Sequence, residues 1–399
     1  KLGAATTRAT TSQVDGTTTV TDPYRTDYGY DAAGKLRSAT EATRTSRSTD
    51  AFGSVTTTTA AQTYVVVAAQ AKLSSKTTSS RTTAADGTLT VTDPYRIDYA
   101  YDATGRLTSA SSTTVTSTST DAFGNKTTST SSQTYVAVAG QAKLSSSTTS
   151  SRSTDIDGSV TVVDPYRTDY TYDAKGRLTS ARSTSFTTTT TDAHGNTTTS
   201  VSNQTYGVVG GNAKLVSTTT TSTTTGADGS VTVTDSFRVD YAYDAGGRLI
   251  AASPVTFTST TQDAFGARTE STTTQTFVVV AGQAKLSGTT TSSVTTEIDG
   301  TVSVTNPWRI AYAYDPSGIL LSATALAVGT VPTPPSGAAY PRYTRTESPF
   351  GDVTETWSKP TYRVVNGRVK LSSTVIESRT VSPDGTVSIT QAFEVFEPT

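Results

Sequence analysis

A Lys-Leu pair recurs at Lys1, Lys72, Lys143, Lys214, Lys285 and Lys370. The first four intervals are each 71 residues (72 − 1, 143 − 72, 214 − 143, 285 − 214) and the last is 85. Periodicity of this kind outranks length as a guide to architecture, because each repeat is a unit that cannot bury its apolar face alone. A chain of 399 residues would otherwise suggest two or three domains. The repeat divides it instead into units 1–71, 72–142, 143–213, 214–284 and 285–369, followed by a C-terminal half unit, 370–399. The extra 14 residues of the fifth unit (85 − 71) fall between Leu320 and Ser348, around the proline-rich stretch VPTPPSGAAYPRY.

Each unit carries the same punctuation. YDATG at Tyr101–Gly105 has counterparts that end in Gly34, Gly176, Gly247 and Gly318. DAFG ends in Gly53, Gly124 and Gly266, and as DAHG in Gly195. Asp-Gly pairs recur at Asp15, Asp86, Asp157, Asp228, Asp299 and Asp384. An Asp followed by two residues and then Gly is turn chemistry: the carboxylate caps nearby amides, and Gly takes the left-handed conformation that closes a type I turn with a G1 bulge. Gly105, Gly124 and Gly158 are therefore expected at positive φ. Three such turns per unit, separated by Thr/Val/Tyr segments, predict three β-hairpins. The segment from Arg106 to Thr120 is long enough for one strand of roughly 50 Å. No stretch keeps a helical period.

In DYAYD, Tyr99 and Tyr101 share one strand face and Asp98 and Asp102 the other. Stacking the units predicts a half-buried row of Tyr28, Tyr99, Tyr170, Tyr241 and Tyr312. A second row runs from Tyr24, Tyr95 and Tyr166 to Phe237 and Trp308. QTYVVVAAQAKL (Gln62–Leu73) is apolar on both faces at Val65–Val67, which predicts a strand covered on two sides. The threonine-rich tracts, polar on both faces but β-branched, read as solvated margins of the same sheet. The fold expected is all-β, an antiparallel hairpin-repeat array of five and a half units stacked into a continuous sheet or solenoid-like strip.

YDAAGKL, YDATGRL, YDAKGRL and YDAGGRL, together with DAFGN at Asp121–Asn125, resemble the YD repeat of Rhs-type proteins, teneurins and insecticidal toxin-complex proteins. The resemblance implies an antiparallel sheet spiralling into a strip or shell on a secreted or cell-surface protein; in the toxins such a shell encloses a cargo domain. The match covers well under half of each unit, and the phrase comes only once per 71 residues. The last copy, YDPSGIL at Tyr314–Leu320, lacks the Arg.

Composition excludes several classes of chemistry. Cysteine is absent, which removes disulfides, thiolate catalysis and Cys-based zinc sites. Lys and Arg total 32 against 33 Asp and Glu, so there is no basic footprint for nucleic acid. No apolar run approaches the length of a membrane helix. His194, the single histidine, takes the slot that Phe52, Phe123, Phe265 and Phe350 occupy in the sister turns, so it reads as a substituted turn aromatic. Asp155 and Asp157 in DIDG suggest calcium, but the sister turns hold one Asp, too few oxygens for that ion. No cofactor, metal or catalytic residue is assigned, and the chain is not expected to be an enzyme.

The function these features predict is structural: a secreted, Thr-rich tandem-repeat protein of a bacterial extracellular fibre, sheath or surface appendage, located outside the cell or on its surface. Lack of Cys and Met fits an oxidising exterior, and the missing initiator Met marks a processed product or a segment of a longer chain. Alternatives are a shell fragment of a toxin system or a glycan-binding adhesin stalk. The expected partner is the protein itself, joined head to tail by strand addition, with surface glycans second. Assembly is expected to use Phe393, Val395 and Phe396 at an incomplete sheet end, unless Glu394, Glu397 and Pro398 blunt that edge.

Overall fold

The computed structural model describes residues 1–396. It is all-β: 27 antiparallel strands form one sheet, and no helix occurs among the described residues. The second unit shows the pattern. Gln70–Thr83 pairs with Leu89–Tyr101, which pairs with Leu107–Ser112 and Val115–Thr120 end to end. Val115–Thr120 pairs in turn with Lys126–Val138, and that strand with Gln141–Thr154 of the next unit. Each unit therefore supplies four strand positions to a meander.

Four positions need four turns, one more than the sequence predicted. The missing turn lies inside QTYVVVAAQAKL. Val55–Val67 and Gln70–Thr83 are separate strands, joined at Ala68 and Ala69 with φ of 48° and 60°. Counterparts at Ala139-Gly140, Gly210-Gly211, Ala281-Gly282 and Asn366-Gly367 are likewise left-handed at both positions, as a two-residue type I′ hairpin requires. The apolar run is thus a hairpin tip, and Val65 is 40% exposed, so the expectation of a strand covered on both sides is wrong. The remaining turns are as predicted: Gly105, Gly124 and Gly158 have φ of 82°, 97° and 88°.

The predicted single strand from Arg106 to Thr120 is split at Thr113–Thr114. Thr113 keeps the ladder there: its amide donates to the Arg96 carbonyl at 2.9 Å, and its hydroxyl accepts from the Arg96 amide at 2.9 Å. The recurrent stretch DPYR, Asp93–Arg96 in the second unit, sits inside a strand, at a bulge where Ser79 faces both Asp93 and Pro94. A bulge leaves one residue without a ladder partner, which is where a residue lacking an N–H costs least. The following Arg pairs within its own strand. Arg96 donates to Asp98 two residues on, at 2.8 Å, as Arg25, Arg167 and Arg238 do to Asp27, Asp169 and Asp240.

The two faces differ in burial rather than in polarity alone. Along Lys126–Val138 the odd-numbered residues are half-buried, while Thr130, Ser132, Thr134 and Val136 are exposed. The threonine tracts are not simply wet margins. Thr56–Thr82, Thr127–Ser153, Thr198–Thr224, Thr269–Thr295 and Thr354–Thr380 form one row of cross-strand hydroxyl pairs at 2.8–3.0 Å. Thr19–Ser48, Thr90–Ser119, Thr161–Thr190, Thr232–Thr261 and Ser303–Thr346 form a second row at 2.7–3.0 Å. Cross-strand pairs of this kind contribute on the order of 0.2–1 kcal/mol each. Register explains them: equivalent positions face each other in every unit.

Candidate interaction surface: the loop edges and the seam

The meander gives the strip two loop edges. One carries the Asp-Gly and DAFG turns, the other the YD turns and the two-residue turns.

Each YD turn is closed by its own residues. In Asp102–Arg106 the Gly105 amide donates to the Asp102 carbonyl at 2.9 Å, and Asp102 Oδ1 accepts from the Thr104 and Arg106 amides at 2.9 and 3.0 Å. The Thr104 hydroxyl and these amides hold the Asp102 carboxyl below the usual carboxylate range. Tyr101 ties the turn to the start of its unit, donating its hydroxyl to the Leu73 carbonyl at 2.8 Å. Tyr30, Tyr172, Tyr243 and Tyr314 do the same to Leu2, Leu144, Leu215 and Leu286 at 2.8–2.9 Å. That carbonyl precedes a bulged residue, Ser74 in this unit, where the ladder is interrupted. The Lys of each pair lies over the turn glycine: a Cβ at Gly105 would stand 3.1 Å from Lys72 Cε. The Lys-Leu and YD phrases are thus two halves of one contact, which neither phrase reveals alone.

Tyr28, Tyr99, Tyr170, Tyr241 and Tyr312 are all half-buried at equivalent strand positions, as are Tyr24, Tyr95, Tyr166, Phe237 and Trp308. Burial raises the pKa of Tyr99 and Tyr170. Tyr135 and Tyr206, packed beside these rows and donating to Gln133 and Gln204 at 2.6 and 2.8 Å, are pushed up by burial to about 12. Under the bulge, Thr63 bonds Ser74 and Ser75 at 2.8 and 2.7 Å, and Ser75, Ser146 and Ser217 are almost fully buried. In the fifth unit Gly288 stands at this position and the Arg309 guanidinium fills the space.

Residues about 200 or more positions apart meet where the two loop edges touch. Arg368 donates to Asp155 and, at 2.5 Å, to Asp157, with Lys370 3.9 Å from Asp157. Asp15 and Phe52 line a groove of about 400 Å³ with Lys214, Arg248 and Gly282. One unit further on, Asp86 and Phe123 line a groove of about 280 Å³ with Lys285, Ile319 and Gly367. Phe52 presses so closely on Gly282 that a Cβ there would lie 2.8 Å from its ring, and Phe123 crowds Gly367 the same way. Units one, two and three thus meet the units three further on. The strip is a coil with three units, about twelve strands, per turn. At about 4.8 Å per strand and a barrel-like tilt, its backbone diameter is on the order of 20 Å. Hydrogen bonds from Thr17 lower the pKa of Asp15, and Lys214 and Arg248 across the seam add to that; Ser159, then Arg368 and Lys370, act likewise on Asp157.

His194 lies on the first of these edges, exposed, its amide donating to Asp192 Oδ1 at 2.9 Å. No group of three or more metal-ligating side chains occurs among the described residues. Among the described residues the strand Val387–Val395 pairs only with Arg368–Val381, and Phe393 and Val395 are 65% and 67% exposed; Phe396 is exposed as well. Glu394 is on this edge, while Glu397 and Pro398 lie outside the described residues. Neither a protein-family model nor a curated protein sequence matches the chain.

Proposed function

We propose that the chain is a structural protein, a wall element of a bacterial extracellular fibre, sheath or surface appendage that acts by assembling with copies of itself. The observation that carries this reading is the coil. A strip whose unit n rests on unit n + 3 can be extended by further units without changing any contact, which suits an indefinite assembly. The sheet edge at Val387–Val395 supports strand addition as one route, since it pairs on one side only and leaves Phe393, Val395 and Phe396 exposed. Head-to-tail contacts of this type build open filaments.

A second reading, a shell segment of a YD-repeat toxin system, shares the coiled strip, but a backbone diameter on the order of 20 Å leaves no room for a cargo domain. The glycan-binding alternative has less support: the tyrosines it needs are half-buried in rows and engaged with their neighbours. Electron microscopy of the purified chain separates these. Fibres of constant width are expected; isolated short particles at all concentrations would contradict the structural reading.

A further inference from the structure

Equivalent phenylalanines on the Asp-Gly/DAFG edge have unequal surroundings. Phe52 is 45% exposed and Phe123 is half-buried, because the turns at Gly282 and Gly367 lie over them. Phe265 and Phe350 hold the same turn position and are each 82% exposed, with Ile298 beside Gly266 at 72%. Nothing among the described residues covers this part of the edge. Adjacent large apolar side chains left bare in this way mark an interaction surface.

We propose that the edge of the fourth and fifth units docks a second copy of the chain, which lays the YD edge of its first two units over Phe265 and Phe350. The covered half of the seam defines the fit. Asp15 faces Lys214 and Arg248; moving back by three units (3 × 71 = 213) turns these into Lys1 and Lys35. A second copy seated in that register brings Lys1 and Lys35 to Asp228, and Lys72 and Arg106 to Asp299. Every pairing unites opposite charges. Phe350 meets the Ala139-Gly140 turn, whose glycine gives a ring the space it needs at Gly282. Phe265 meets Ala68-Ala69, where the second residue carries a Cβ, so Phe350 is the better seated of the two.

The inference rests on the proposed self-assembly but names a different contact from the strand edge, so the two can fail separately. Sedimentation velocity of the intact chain is compared with that of F265S/F350S and of V395K, with circular dichroism to confirm folding. The wild type associates, more weakly as salt screens the charge pairs. The double variant is expected to weaken association by roughly tenfold or more, as for loss of two anchors, with F350S the larger single effect. V395K leaves it unchanged. Association that survives F265S/F350S but is lost in V395K overturns the seam contact and leaves strand addition standing. A wild type that stays monomeric overturns both. Closed dimers that disappear in F265S/F350S support the docking and remove the fibre.

Discussion

The second to fourth units and the chain from Leu320 onward share one ladder but hold it together in different ways. In the regular units the aromatic side chains are mostly half-buried tyrosines, and the most deeply buried positions are small, Ser75, Ser146, Ala181 and Ser217, with Leu107, Val239 and Val255 buried as well. In the fifth unit the proline-rich insertion folds down onto the sheet. Trp357, 1% exposed, donates its indole N–H to the Pro332 carbonyl at 2.7 Å and packs on Tyr343. Glu377, fully buried, accepts from the Ser336 amide at 2.8 Å, from the Ser336 hydroxyl, and from Tyr340 at 3.3 Å. Burial alone would raise its pKa, but the bonds from Ser336 and Tyr340 outweigh that and keep it lowered. The contrast shows two ways to stabilise a thin sheet. One repeats many small hydroxyl and turn contacts; the other places a local lid over one large aromatic.

The largest break in this comparison should come from the lid. Trp357→Ala is expected to cost about 3–5 kcal/mol, as for a buried aromatic. Repeat arrays lose stability locally, so hydrogen exchange should rise around Tyr343–Glu377 and stay slow in the second and third units. Equal exchange throughout would show that the lid and the regular units are one cooperative body.

Gly105→Val is next, at about 1–2 kcal/mol, because a β-branched residue is strained at φ of 82° and would crowd Lys72. Denaturant unfolding measures it. Tyr101→Phe removes the bond to the Leu73 carbonyl and should cost about 1 kcal/mol. A similar loss on Tyr172→Phe would show that the contact is a property of the repeat.

The tyrosines also set an alkaline limit. Tyr135 and Tyr206 have pKa values raised from 10.0 to about 12, so the folded state holds protons that the unfolded state releases. Their contribution is complete below pH 10 and is lost as pH rises towards 12. Melting temperature should fall across that window, together with tyrosinate absorbance. The smallest effect belongs to the hydroxyl rows: Thr127→Val should change stability by about 0.5 kcal/mol or less. A loss several times larger would mean that the rows, not the turns, dominate the regular units.

Much of this was legible in the sequence. Asp-x-x-Gly turns, the tyrosine rows and the all-β strip follow from short-range chemistry repeated in register. The two-residue turns were hidden because Ala68-Ala69 lies within an apolar run and lacks the Gly of its sister turns. The bulge at Asp93-Pro94 was hidden because it depends on the facing strand. The seam was out of reach for a different reason. Phe52 and Gly282 are joined by curvature accumulated over a dozen strands, and no local pattern records that sum.

One distance tests whether the strip coils. The chain lacks cysteine, so spin labels at Ala122→Cys and Asn366→Cys report on a single pair. These residues flank the Phe123–Gly367 contact. Thirteen strand positions separate the two turns along the strip, and the turns lie on opposite loop edges, one strand length apart, so an uncoiled sheet would hold the labels about 75 Å apart. Pulsed dipolar spectroscopy should instead find them as near neighbours, in one narrow distribution. A distance of about 75 Å would show that the strip does not coil.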